Sequence, residues 1–135
     1  MRAAVMALFL GACETAACAG YSQERQALID FFQAARLRDT TVLSNIATVT
    51  FEPRTDGIVQ QFEIERVEAQ PPRIENGHAV ETKHASVDAQ VRIPDGEVVA
   101  EKLEVTFERP VGGRWMITQL RASRISRAAS SGPPN

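Results

Sequence analysis

SQERQALIDFFQAARLR, residues 22–38, is the stretch of sequence that decides the fold. Its apolar side chains recur at helical spacing, at Ala27, Leu28, Phe31, Phe32, Ala34, Ala35 and Leu37. Such a wide apolar stripe predicts an amphipathic helix, with Ser22 as its cap. The chain beyond it is typical of strands, and a sheet with one apolar face needs a second layer. We therefore expect this helix to cover the sheet.

A short second helix and about five strands are expected after it. Asp39 or Thr40 can cap the short helix, which extends to Ile46. The alternation slips near Glu65, which predicts a β-bulge, and Pro71-Pro72 predicts the start of a loop. Strand patterns occupy residues 48–51, 58–69, 85–93, 99–107 and 114–120. Tight turns between most of them predict an α+β fold in which one long N-terminal helix and a short helix pack on a curved antiparallel sheet.

Length and composition fit one globular domain. The chain has 135 residues, 44% apolar and 24% charged content, and a formal net charge of −2. We expect the domain to occupy residues 20–122, with a disordered tail at 123–135. The lack of a basic excess argues against a nucleic-acid partner. Because both cysteines precede residue 20, we expect neither a disulfide nor a thiolate metal site in the domain.

The first 19 residues have the layout of an export signal. An 11-residue apolar run from Ala3 to Cys13 follows Met1-Arg2 and is shorter than the roughly 20 residues of a membrane-spanning helix. It ends in LGAC, residues 10–13, which resembles the bacterial lipobox. That resemblance implies cleavage before Cys13 and acylation of its sulfur, which anchors a chain stably to a membrane. In lipoproteins of this kind, an aspartate directly after the acylated cysteine commonly retains the protein in the inner membrane. This chain has Glu14 at that position, so the resemblance favours the outer membrane, facing the periplasm.

Two alternatives for this segment remain open. Ala17-Cys18-Ala19 also fits ordinary signal cleavage, which would release a soluble periplasmic protein beginning at Gly20. The positive region contains one arginine, so the true start codon could also lie upstream.

Several short motifs accompany this order of elements: ALIDFF at 27–32, the acidic break at Asp39, Leu43 in the short helix, VTF at 49–51 and GRWMI at 113–117. Together they resemble the nuclear transport factor 2-like superfamily, the cone-shaped α+β fold shared with ketosteroid isomerase. The superfamily's third helix has no room between Pro53 and Gly57, so a simpler cystatin-like domain is the alternative. The resemblance implies a pocket between helix and sheet. Its expected lining is Leu28, Phe32, Phe62, Phe107 and Trp115.

The sequence gives little support for a catalytic or metal-binding site. The superfamily's isomerases use a tyrosine in the pocket, but the sole tyrosine, Tyr21, precedes the helix. His78 and His84 are six residues apart, about 20 Å along one strand, and cannot share a metal. His84, Ser86 and Asp88 share a strand face, but a triad needs histidine between the other two residues.

The carboxylates and the basic carboxyl end are also expected to face solvent. Glu63 and Glu65 lie about 7 Å apart on one strand face, opposite the apolar residues, and Asp30 lies off the helix's apolar stripe. Arg121, Arg124 and Arg127 could touch anionic lipid, although a frayed tail is the simpler interpretation. We therefore predict no catalytic set, metal or cofactor.

Three hypotheses for function follow. The first is a non-enzymatic, lipid-anchored envelope protein that binds a small apolar ligand or a protein partner. The second is a small enzyme of isomerase or dehydratase type, which requires a buried titratable group in an open cavity. The third is a structural homodimer that associates through the outer face of the sheet.

Overall fold

Two helices precede four strands in the computed structural model, which describes residues 21–125. The elements are α1 (Ser22–Leu37), α2 (Thr40–Ile46), β1 (Ile58–Glu75), β2 (His78–Arg92), β3 (Val98–Pro110) and β4 (Met116–Arg124). The strands form one antiparallel sheet in the order β1-β2-β3-β4. The α+β class is confirmed, and the prediction of about five strands is wrong for the described residues.

The two helices are separated by a sharp break in the backbone. Helix α1 begins at Ser22 as predicted, but its N-cap is Tyr21 and no side chain caps it. The helix ends where Arg38 adopts a left-handed conformation with φ of 55°. The carboxylate of Asp39 then accepts a hydrogen bond of 3.1 Å from the Val42 amide, which is the predicted cap of α2.

The predicted strand at 48–51 does not form, because this segment closes the end of the core. The Thr48 amide donates one hydrogen bond of 2.9 Å to the Ile117 carbonyl, within a single parallel bridge at Ala47. Phe51 then turns inward and is buried. The Asp56 carboxylate accepts from the Glu52 amide at 2.7 Å and folds the chain into a turn. Tertiary burial here outweighs the β propensity of the threonine and valine side chains.

Strand β1 runs through the predicted loop at Pro71-Pro72 and ends at Glu75. The register of β1 against β2 shifts between Gln70 and Arg73, so the two prolines fall in an irregular stretch. Because β1 is an edge strand, its prolines need not donate to a second neighbour. A further register shift between Ile64 and Arg66 confirms the bulge predicted near Glu65.

The core lies between α1 and one face of the sheet. Leu28, Phe31 and Ala35 of α1 contact the inward residues of the central strands, and their side chains fill the space beneath the helix. The inward residues of the central strands are Ala85, Val87, Ala89, Val91, Leu103, Val105 and Phe107. The other face of the sheet carries polar side chains, among them Ser86, Glu104 and Lys102.

The segment predicted to be an export signal, with Cys13, and residues 126–135 lie outside the described residues. At the other boundary, β4 includes Ser123 and Arg124, two residues beyond the expected end of the domain. None of the helices within 21–125 is long and apolar enough to cross a membrane.

Candidate functional site

The five residues expected to line one pocket are divided among three places. Leu28 is fully buried beneath α1 and faces no cleft. Phe107 and Trp115 lie on one flank of α1, in a cleft of about 440 Å³. Phe32 and Phe62 lie on the opposite flank, in a groove of about 370 Å³.

The larger opening, which we call the Trp cleft, lies between the first half of α1 and the chain that joins β3 to β4. Its apolar lining consists of Ala27, Ile46, Phe107, Trp115 and Ile117. Its polar lining includes Glu24, Asp30, Lys83, Arg109 and Arg114. The apolar residues provide the larger part of the lining surface, which is typical of sites for small molecules.

Trp115 is the central side chain of this cleft. It is partly buried, and its ring has two cations over it: the Lys83 ammonium at 4.5 Å and the Arg109 guanidinium at 4.8 Å from the ring centroid. Antiparallel pairing places both cations there, because Lys83 opposes Phe107 and Arg109 opposes Glu81 in adjacent β2–β3 rows. Cations over an indole face fix its orientation.

Each of these two cations also has a carboxylate partner. Lys83 Nζ donates to Glu24 Oε1 at 2.9 Å, and Arg109 binds the carboxylate of Glu81. Asp30 and Arg114, also in the lining, bring one charge of each sign. The cleft therefore carries paired charges and no net excess of either sign, so its chemistry favours an uncharged apolar ligand.

Glu24 is the functional candidate that the sequence reasoning missed. The residue is only 7% exposed, although it lies in the first turn of α1, among exposed polar neighbours. A signal was present, because Glu24 precedes Leu28 by four residues and so belongs to the apolar stripe of α1. An acidic residue on that stripe indicates a partner of opposite charge, which is the partly buried Lys83 of β2.

The groove on the opposite flank is more polar. Phe32 and Phe62 meet there with ring centroids 5.6 Å apart, and the Arg25 guanidinium lies 6.0 Å from the Phe62 centroid. Arg36, Gln33, Gln60 and Gln61 supply much of the remaining lining. Its two aromatic residues thus complete the core edge beneath exposed polar side chains.

The histidines and the triad-like residues do not converge on either opening. His78 and His84 are both exposed on β2, and His84 Nδ1 lies 3.1 Å from Thr106 Oγ1. Ser86 is buried, contrary to the expectation of a solvated face, and its hydroxyl donates to the carboxylate of Glu104 at 3.1 Å. Among residues 21–125 no three histidine, cysteine or acidic side chains cluster as metal ligands would.

The paired carboxylates of β1 are exposed, as expected. Glu65 accepts from Lys102 Nζ at 2.8 Å, and this hydrogen bond together with the lysine's charge lowers the pKa of Glu65. Asp30 is exposed and accepts from Gln26 at 2.9 Å. Glu65 is thus committed to a surface ion pair across the sheet.

Comparison with protein-family models, with curated proteins and with solved structures found no match to this chain.

Proposed function

We propose that this domain is a non-enzymatic binding module of the bacterial cell envelope and that it holds a small, uncharged apolar molecule in the Trp cleft. The observation that carries the proposal is the partly buried Trp115 ring, oriented by Lys83 and Arg109 at the wall of an apolar opening of about 440 Å³. A partly buried aromatic side chain of fixed orientation contributes to an apolar lining, and little entropy is lost when a ligand contacts it.

Charge pairing supports an uncharged ligand over an ionic one. An anion entering the cleft would compete with Glu24 for Lys83 and with Glu81 for Arg109. A cation would find the carboxylates of Glu24 and Glu81 already paired with Lys83 and Arg109. An apolar molecule disturbs neither ion pair and gains the burial of its surface, roughly 25 cal/mol per Å².

The test uses Trp115, the single tryptophan of the chain, as its reporter. The full chain is titrated with N-phenyl-1-naphthylamine, a neutral aromatic probe, while tryptophan emission is recorded. We expect saturable quenching with one probe bound per chain. A response that stays linear up to the solubility limit of the probe would count against a defined site.

The envelope location rests on the lipobox-like residues that end at Cys13. Mass spectrometry of the mature protein tests it, because an acylated Cys13 at the amino terminus is the expected product. A chain that begins at Gly20 would instead mean a soluble periplasmic protein. Membership of the nuclear transport factor 2-like superfamily is part of this proposal and is supported by the order of two helices before an antiparallel sheet.

One observation favours the enzyme of isomerase or dehydratase type as a second candidate. Glu24 is a buried carboxylate in the lining of an apolar cleft, which is the setting of a general base. In the structure it is held by Lys83 at 2.9 Å. Glu24→Gln tests this candidate, because an enzyme with Glu24 as its general base would lose its isomerase or dehydratase turnover, whereas the binding proposal involves no turnover.

A further inference from the structure

The two most exposed large apolar side chains of the described residues lie at one end of the sheet, Ile74 in the last residues of β1 and Val111 in the turn between β3 and β4. Val111 is 74% and Ile74 is 73% exposed. Ile74 pairs with Ala79 across the β1–β2 hairpin, and the Val111 amide donates to the Ala79 carbonyl at 3.1 Å. Two strand spacings of about 4.8 Å therefore separate their Cα atoms. We call this end of the sheet, defined by Ile74, Ala79 and Val111, the hairpin end.

We propose that the hairpin end inserts these two side chains into the surface of a lipid bilayer. The proposal rests on the lipid anchor proposed above. The amino-terminal end of α1 lies on the same side of the domain, because Glu24 in its first turn binds Lys83, which is four residues from Ala79 along β2. The chain therefore enters the domain close to the hairpin end.

The length of the connecting chain favours a bilayer as the occupant. Residue 21 follows Cys13 by eight residues, which span at most about 29 Å when fully extended. The hairpin end can reach the anchoring membrane without extension of this segment. The far end of the domain, with Leu37 and Val98, lies a further helix length of about 24 Å away. Only a nearly extended connection would let that end touch the same membrane.

The charges at the hairpin end indicate an apolar contact and not an electrostatic one. Arg73 binds Glu75 at 3.1 Å and Glu108 at 3.0 Å, and Arg109 binds Glu81. These pairs leave no basic excess for anionic headgroups. Contact should therefore persist on neutral lipid and in high salt, unlike binding by a polybasic segment.

The experiment measures which end of the anchored domain meets lipid. The full chain, matured in the bacterium and carrying Cys18→Ser, receives a cysteine at Val111 or, as the matched control, at Val98. Each is labelled with the environment-sensitive dye NBD and reconstituted in phosphatidylcholine vesicles; the chain without the added cysteine is the blank. We expect a blue shift and at least a twofold rise in emission for the label at 111, and quenching by brominated lipid. The label at 98 should keep its aqueous emission.

Two further variants isolate the contact. Ile74→Glu should abolish the shift at 111, whereas Val98→Glu, the same change at the opposite end, should leave it intact. Equal emission from both labels would overturn the proposal. A shift at 111 that appears without vesicles and grows with protein concentration would also overturn it, because that shift would indicate contact with a second copy. A shift that requires anionic lipid would overturn it as well.

The outcomes also separate this proposal from the others. A reconstituted chain whose mass lacks acyl groups overturns the anchor and the bilayer contact together. Binding in the Trp cleft is measured without vesicles and is decided by the quenching of Trp115 emission during the probe titration.

Discussion

The ammonium nitrogen of Lys83 lies 4.5 Å from the centroid of the Trp115 ring. The same nitrogen donates to the buried carboxylate of Glu24 at 2.9 Å. One cation thus joins the first turn of α1, the middle of β2 and the chain that enters β4. The shape of the Trp cleft therefore depends on an ion pair whose members are 59 residues apart in sequence.

Replacing Lys83 by methionine should destabilise the domain by about 2 kcal/mol, because Glu24 then remains buried without its charged partner. Urea unfolding at neutral pH measures the change. The double variant Glu24→Gln/Lys83→Met is the control and should recover part of the loss, since the uncompensated charge is gone. Equal stability of the single and double variants would mean that water solvates the Glu24 carboxylate once Lys83 is removed.

Gly57 and Gly96 allow a second test, of a backbone contact. Both have positive φ, +93° and +96°, so the strain of an added side chain is similar at the two positions. A Cβ at residue 57 would lie 2.5 Å from the Arg92 carbonyl oxygen, whereas nothing lies within 4 Å of one at residue 96. We expect Gly57→Ala to cost about 3 kcal/mol and Gly96→Ala about 1 kcal/mol in thermal or urea unfolding. Similar losses would show that the strand ends separate easily.

Local periodicity explains which parts of the fold could be predicted from the sequence. The apolar stripe of α1, the Asp39 cap and the bulge near Glu65 are each encoded within about ten residues. The segment at 48–51 was mispredicted because Ile117 and the core, both distant in sequence, decide its conformation. The prolines at 71 and 72 were read as a loop because only the finished sheet makes β1 an edge strand.

The candidate site was less predictable than the fold, for the same reason. Phe107 and Trp115, which were named from the sequence, line one opening in the structure, whereas Lys83, Arg109 and Glu24 were not named. Their convergence depends on the β2–β3 register and on the rotation of α1 against the sheet, neither of which any single segment encodes. The aromatic residues were divided between two flanks because α1 fills the space between them.

Stability should depend on pH through Glu65 and Lys102. The hydrogen bond and charge of Lys102 hold the pKa of Glu65 below its usual 4.5. A lowered folded-state pKa contributes stability that is present above 4.5 and is lost as the pH falls through the lower, folded-state value. The difference in unfolding free energy between wild type and Glu65→Gln should therefore be largest at neutral pH and shrink in acid.

Glu63→Gln is the matched control for this pH series, since Glu63 lies two residues away on β1 and has no ion pair within the described part of the chain. Its difference from wild type should change less between neutral and acid pH. A Glu65→Gln difference that stayed constant through the acid range would show that the ion pair with Lys102 is not maintained in solution.

Filling the Trp cleft should remove ligand binding without unfolding the domain. Ala27 lies on the α1 wall of the cleft, and a phenylalanine there would occupy the space beside Trp115. We expect Ala27→Phe to weaken the affinity for N-phenyl-1-naphthylamine at least about tenfold, or about 1.4 kcal/mol. The free energy of unfolding should change by less than about 1 kcal/mol, because the new ring fills open space and not the closed core. Gln33→Phe places the same ring in the groove on the opposite flank of α1 and should leave the affinity unchanged. If Ala27→Phe bound the probe as tightly as wild type, the quenching of Trp115 would have to arise outside the cleft.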